Sequence, residues 1–344
     1  MVSKRTEKKK LKRKRKRKTI LSVLLILFLS AIAFSVYEYW AGKNAAQEDM
    51  EKYRDEEKSE QYENEFTGDD EAPEDERTNV LILGEDYDRN GTSRTDTIMV
   101  GQYDKEHNRA KLVSIMRDTY VDIPGYGKNK INAAFAYGGP ELLRKTIKQN
   151  FGIDLHYYAI VNFKGFESIV DTIAPDGVQI DVEKRMYYNA KDVYIDLYPG
   201  VQNLDGSQLL DYARYRNDYE SDFGRVRRQQ QVMSALKDEM LSFTSLIKLP
   251  RTIGTLQPYI DTNMKGDTIV SIATDFLKDT PDQIETMRIP MEGTYSNQTY
   301  SHAGAVLEIN KVKNSNELQE FFENQPKEED QTNESNNSDS SDQS

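Results

Sequence analysis

The stretch NVLILGEDYDRNGTSRTDTIMVGQYDKEHNRAKLVSIM, Asn79–Met116, decides the fold class. It contains three short apolar runs, NVLIL (79–83), TIMVGQY (97–103) and KLVSIM (111–116), separated by polar turns. Runs of this length rich in Val, Ile and Leu predict strands, and their near-continuous apolar character suits a sheet covered on both faces. HYYAIV (156–161), VQIDV (178–182) and TMRIP (286–290) read the same way. Helix-period segments lie between them. GPELLRKTIKQNFG places Pro140 at a helix start, Leu143, Ile147 and Phe151 at i, i+4 and i+8, and Gly152 as the stop. Further helices are expected at 163–173, 205–214, 222–242 and 267–277. The pattern predicts an α/β domain over residues 79–323, with a central mixed β-sheet flanked by helices on both faces.

The segments outside this domain are of a different character. Residues 4–18 hold 12 of the 46 Lys+Arg and one acid, leaving 34 basic against 57 acidic groups elsewhere, so the net charge of −12 conceals two opposite regions. TILSVLLILFLSAIAFSVYEYW, 19–40, follows with no charge before Glu38. As a helix it reaches about 33 Å, enough to cross a hydrocarbon core of about 30 Å. Basic residues before it and Tyr37, Tyr39 and Trp40 at its far end predict a single-pass type II protein of the cell membrane. Residues 1–18 are then cytoplasmic and 19–40 form a transmembrane signal-anchor. A cleaved leader competes weakly, because Ala31-Ile32-Ala33 lies inside the apolar run. A basic run directly before a membrane span marks orientation and binds anionic lipid heads, so no nucleic-acid partner is expected. Residues 41–78 read as an acidic stalk and 324–344 as a disordered acidic tail. With no cysteine, disulfides and thiol catalysis are excluded.

Candidate chemistry lies first in YARYRNDYESDFGRVRRQQQ, 212–231. On the helix expected from Asp222, a plausible N-cap, Val226, Met233, Leu236 and Met240 form the core stripe. Gln229 falls within that stripe and Arg225 at its edge, whereas Arg227 and Arg228 point outward to solvent. An inward Arg and Gln at a helix N-terminus need partners, and either a phosphate or local acids such as Asp218 and Asp222 would serve. Arg214 and Arg216, two apart where the preceding helix ends, add guanidinium forks suited to phosphate oxygens. Upstream, Asp86 and Asp96 project from neighbouring strand ends, where two carboxylates plus phosphate oxygens suit Mg²⁺. Arg117-Asp118 ends a third strand, and Lys130 follows a Pro-Gly turn. Together these clusters specify a metal-assisted phosphoryl site.

The ordered motifs, SIMRDTYVDIPG, KINAAFAYGGPELL, LDGSQLLDYARYR and DFGRVRRQQQV, strongly resemble the LytR-CpsA-Psr family of Gram-positive cell-surface proteins. The resemblance implies an extracellular phosphotransferase that moves an anionic glycopolymer, of wall teichoic acid or capsule type, from an undecaprenyl-pyrophosphate carrier onto peptidoglycan in cell wall biogenesis. It maps pyrophosphate binding onto Arg94, Arg117, Lys130, Arg214, Arg216, Arg225 and Gln229, and the metal-associated aspartates onto Asp86 and Asp96. Arg117, Asp96, Asp86 and Asp222 are the expected catalytic residues; Asp222 or a Mg²⁺-bound carboxylate takes the hydroxyl proton. The implied partners are the polyprenyl-pyrophosphate-linked glycopolymer, peptidoglycan and the membrane. A lipid pyrophosphate hydrolase, and a membrane-bound attenuator of transcription or autolysis, are the alternatives. Met116 stands where the family usually has proline, Thr95 where it has serine, and Pro175-Asp176 where it has a Gly pair.

Overall fold

In the computed structural model, which describes residues 34, 36–44, 46, 56–68, 77–87, 93–190, 193–240 and 253–323, the three runs of the opening stretch form a meander. β1 (Arg77–Tyr87), β2 (Ser93–Asp104) and β3 (Arg109–Ile115) pair antiparallel in turn. β6 (Tyr157–Asn162) joins β1 in parallel, β12 (Ile284–Ile289) joins β3 in parallel, and β11 (Ile260–Thr262) lies antiparallel on β6. The six form one mixed sheet, ordered β11-β6-β1-β2-β3-β12. The expected segment 1–18, most of the span 19–40 and the tail 324–344 lie outside the described residues. Among the described residues no helix is long and apolar enough to cross a membrane.

Register explains why the meander holds. Leu83 pairs with Ile98 and Ile98 with Ile115, while Leu81 pairs with Val100 and Val100 with Val113, so one face carries a continuous apolar field. All six are 2 % exposed or less. At about 1.5–3 kcal/mol per side chain, this field is the largest favourable contribution in the domain. It packs against α2 (Ile131–Phe151) through the fully buried Leu143, Ile147 and Phe151. Across the other face runs α5 (Ser221–Met240), whose Gln230 amide donates to Ser114 Oγ and the Met287 carbonyl at 3.2 and 3.0 Å. α6 (Gly266–Lys278) sets Phe276 edge-on to Tyr103 on that side. The sheet therefore has helices on both faces.

The helix expected to start at Pro140 begins earlier, at Ile131, and breaks at Gly138-Gly139 before Pro140 restarts it. Gly139 has φ 59°, and a Cβ there would lie 2.5 Å from the Tyr62 ring, so only glycine fits. Tyr62, on α1 (Glu56–Glu65), and the following Phe66 lie inside the main core, against Phe135 and Tyr158 at ring separations of 5.8 and 5.0 Å. Sequence reading assigned this acidic segment to the stalk; its two aromatics extend the core upstream of Asn79.

A second sheet, ordered β13-β14-β4-β5, unites β4 (Thr119–Ile123) and β5 (Gly127–Lys130) with β13 (Tyr295–Tyr300) and β14 (Gly304–Ile309). α7 (Lys311–Glu323) closes the C-terminal side, burying Leu318 and Phe322. A smaller core gathers α3 (Phe163–Ile173), α4 (Gly206–Arg214) and α5 over paired β7 (Val178–Val182) and β10 (Gly200–Leu204), with the hairpin β8 (Met186–Ala190) and β9 (Val193–Leu197) beside it.

Phe66→Ala is expected to cost about 3–5 kcal/mol of unfolding free energy, measured by chemical denaturation of the full chain. A loss below about 1 kcal/mol would place Phe66 on a solvated stalk after all.

Candidate active site

β6, β1, β3 and β12 run in the same direction, and the site forms beyond their carboxyl ends, where open α/β sheets offer a crevice. The register of β1 with β2 slips between Gly84 and Glu85: Gly84 pairs with Thr97 and Glu85 with Thr95, leaving Asp96 as the extra residue of a β-bulge. A bulge re-aims its side chain out of the regular alternation. Gly84 makes room for it, since a Cβ there would be 2.9 Å from Thr97 Cβ. Asp86 and Arg94 face each other two pairs beyond the slip, on β1 and β2. Their side chains lie outside the described residues, and so does any contact they make.

Asp96 Oδ1 accepts from Arg117 Nη1 at 2.6 Å. Arg117 follows β3 in the turn that Thr119 N–H closes on the Met116 carbonyl, and its fork also reaches Asp118 (3.4 Å) and Asp222 (3.9 Å). Lys130, at the end of β5, pairs with Asp118 at 2.7 Å. From α5, Arg225 approaches Asp222 at 3.1 Å and Asp96 at 3.9 Å. Arg216 lies 3.7 Å from Asp222. Arg214 stacks on the Phe163 ring at 4.0 Å, and the Gln229 amide donates to Thr97 Oγ1 at 2.9 Å. Arg214, Arg216, Arg225 and Gln229 line one cleft of about 250 Å³, whose apolar side is Phe163, Val193 and Ile195.

Among the described side chains four cations, Arg117, Lys130, Arg216 and Arg225, thus share three carboxylates. Burial would raise the Asp96 carboxyl, but Arg117 above all, with Arg225 and Arg216, holds it below its ordinary value. Burial pushes Arg225 down, and neighbouring Arg117 and Arg216 add to this against Asp222 and Asp96. Arg225 is 5 % exposed, and its Nε has no hydrogen-bond partner among the described residues. An unsatisfied buried donor costs about 1–3 kcal/mol, so an acceptor placed beside Arg225 would be favoured.

Two expectations are corrected. Asp222 is not the cap of α5: the helix starts at Ser221, the Glu220 carbonyl accepts from Gly224 N–H, and Asp222 lies in the first turn facing Arg225. Arg227 and Arg228 are not a solvated pair. Arg228 is fully buried, bonded to Asp218 at 3.0 Å and to the Tyr215 carbonyl; Arg227 bridges Glu183 and Glu220 at 2.8 and 2.7 Å. The wheel was drawn for a helix with one covered side, whereas the 215–220 loop covers the other. Arg228 therefore pins the loop that carries Arg216. Sequence reading gave no role to Phe163, Val193 or Ile195, and none to Asp118, which bridges Arg117 and Lys130. Phe163 follows the carboxyl end of β6, parallel to β1, so the crevice rule was the signal that pointed to it.

Arg228→Ala, which takes a fully buried guanidinium from the Tyr215 carbonyl and leaves Asp218 to Lys184 at 3.1 Å, is expected to cost about 2–3 kcal/mol of stability. Arg227→Ala, at a half-exposed bridge, is expected to cost about 1 kcal/mol or less. Equilibrium denaturation of both variants ranks them, and equal losses would contradict the pinning role. A third prediction concerns Asp211 on α4, which burial raises from 3.8 to about 6 against the pull of Arg214. A carboxyl raised on folding stabilises fully below its unfolded value and loses that contribution as pH rises through the folded value. Asp211→Asn should therefore melt above the parent at pH 7–8, with the gap closing toward pH 4, as read from melting curves across that range.

Comparison with known proteins places this geometry. A model described as the LytR_cpsA_psr family matches residues 36–318. "Regulatory protein MsrR" of Staphylococcus aureus (strain COL) is 45 % identical over 249 residues, covering 72 % of this chain and 75 % of that protein. "Polyisoprenyl-teichoic acid--peptidoglycan teichoic acid transferase TagU" of Oceanobacillus iheyensis is 30 % identical over 246 residues, covering 70 % and 75 %. The solved structure "TagT bound to LIIa-WTA" superposes with a TM-score of 0.58 at 25 % identity, covering 75 % of this chain and 93 % of that one. The matched region includes the meander, the bulge and the arginine cluster, and the chain belongs to the LytR_cpsA_psr family.

Proposed function

We propose that the chain transfers an anionic glycopolymer from a polyprenyl-pyrophosphate carrier to peptidoglycan outside a membrane that its N-terminal span anchors. The observation that carries this is the convergence of Arg214, Arg216 and Arg225 on a cleft with an apolar side, with Arg117 bonded to the Asp96 that also lines it and Arg225 Nε lacking a hydrogen-bond acceptor among the described residues. A pyrophosphate satisfies the cations, and Phe163, Val193 and Ile195 suit the prenyl chain beside it. The names of TagU and of the ligand-bound TagT structure support the same class of substrate.

In this reading the pyrophosphate displaces water and settles between Arg117, Arg216 and Arg225, with Lys130 behind Asp118 holding the turn. An acceptor hydroxyl oxygen bonds to the phosphorus bearing the glycan. The bond from that phosphorus to the bridging oxygen breaks, and the electron pair leaves with polyprenyl phosphate. The hydroxyl proton passes to Asp222. The arginines neutralise charge on the equatorial and leaving oxygens, which in phosphoryl transfer is the main source of rate. Asp96 Oδ1 is held by Arg117, while among the described residues Oδ2 has only the 3.9 Å approach of Arg225, which leaves an oxygen suited to a hard cation. Asp96, with Asp86 from β1, would hold Mg²⁺ through carboxylate and phosphate oxygens. When bound, the ion would supply further neutralisation of the phosphoryl oxygens.

The test is conjugation by the purified full chain, given lipid-linked polymer and un-cross-linked peptidoglycan oligomer with Mg²⁺. Polymer–glycan conjugate is the expected product, lost on chelation and restored by Mg²⁺. Arg117→Ala should lower kcat about 10²–10³-fold. Free polymer phosphate without conjugate would make the protein a pyrophosphate hydrolase. Turnover of neither kind, with intact lipid binding, would favour the regulatory role that the name MsrR suggests for its relative.

A further inference from the structure

A second cleft, of about 490 Å³, opens on another side of the same carboxylates. The first turn of α5 forms one wall with Asp222 and Phe223; β13 forms the other with Asn297, Gln298 and Thr299; Asp118 stands where the cleft meets the cation cluster. The two clefts differ in chemistry. Three arginines line the first. Among the described residues no lysine or arginine lines the second, and its charged lining groups are Asp118 and Asp222. Each of these is ion-paired to a site cation, Asp118 to Arg117 and Lys130, Asp222 to Arg225. With its carboxylates already paired and no cation among its described lining residues, the cleft offers little to a polyanion, whereas a neutral, hydroxyl-rich ligand needs no such cation.

The side chains that face this space suit a sugar. Asn297 offers an exposed amide and Thr299 a hydroxyl from the face of β13 that also carries Tyr295, while Gln298, on the opposite face beside Ser296, borders the cleft. Phe223 supplies an aromatic ring, fixed by stacking on Tyr295 at 5.5 Å. Position matters as much as composition. In-line displacement at phosphorus requires the attacking oxygen to arrive from the side opposite the leaving group. A ligand in this cleft reaches the cluster over Asp222, while a pyrophosphate and its prenyl chain occupy the other cleft.

From this we infer that the cleft between the start of α5 and β13–β14 is the acceptor subsite, which binds a neutral run of glycan and presents its hydroxyl at Asp222. The inference rests on the transferase reading for its purpose, but the glycan binding itself can be measured apart from turnover.

Two variants of the full chain decide it: Asn297→Ala with Gln298→Ala, and Thr299→Trp, which fills the groove. All three positions are exposed on β13, so the fold should be kept, and a melting curve for each variant checks this. Both variants are expected to raise KM for un-cross-linked peptidoglycan oligomer at least tenfold. KM for the lipid-linked donor, and calorimetric binding of a short-chain prenyl pyrophosphate, should stay within twofold of the parent. Saturation-transfer NMR with the same glycan oligomer should show binding to the parent and its loss in both variants. If the parent transfers polymer and the variants leave acceptor KM and glycan binding unchanged, the subsite is wrong and the transferase reading survives. If the parent binds glycan in this cleft but transfers nothing, the subsite stands and the transferase reading falls. Equal loss of donor and acceptor affinity would also overturn the subsite, because it would make the cleft part of the donor site.

Discussion

The pair between Asp96 and Arg117 is the contact on which the site depends. Two like charges about 4 Å apart repel by roughly 4 kcal/mol at an effective dielectric of 20, so arginines and a lysine crowded together without interleaved acids would drive their loops apart. Asp96 prevents this by lying between Arg117 and Arg225, and it does so only because the bulge in β2 turns it out of the sheet's regular alternation. Asp118 and Asp222 repeat the arrangement on either side. Each acid is shared, so the cluster holds together without a ligand while none of its cations is fully neutralised. That is the state in which an incoming phosphate gains most.

An acidic chain with a cationic cleft is consistent on these terms. Exposed charges farther than about 8 Å from the cleft are largely screened at physiological salt, whereas contacts made inside it are not. The net charge of −12 therefore bears on solubility and on long-range encounter; affinity is set by the few guanidinium groups that touch the anion.

How far the fold was legible depended on composition. β1, β2, β3 and β6 contain Val, Ile or Leu runs and appeared where those runs put them; β12, IETMRI, starts two residues before the expected TMRIP. β13, with the sequence YSNQTY, carries no such signal; it is a strand because β14 pairs with it along its whole length. At the site, Arg214, Arg216 and Arg225 were legible because a helix end and a helix start place them, and the structure brings all three to one cleft. Arg228 was misread for the converse reason. A helical wheel shows which side of a helix is apolar, not which side a distant loop will cover, and a buried arginine bonded to Asp218 and a carbonyl is invisible to a hydrophobicity count. The bulge was hidden as well, since a one-residue slip of register is a property of two strands and is written in neither alone.

The pairings of β12 with β3 and of β14 with β4 bear on how the protein is made. Ile284 meets Ala110, and Leu307 meets Thr119, so the sheet edge beside Arg117 is completed by some of the last residues described. Contacts so far apart along the chain close slowly and late. A growing polypeptide therefore carries its arginines before it has the strands that fix them, and this edge of the site is set only once Ile284–Ile289 and Gly304–Ile309 have paired.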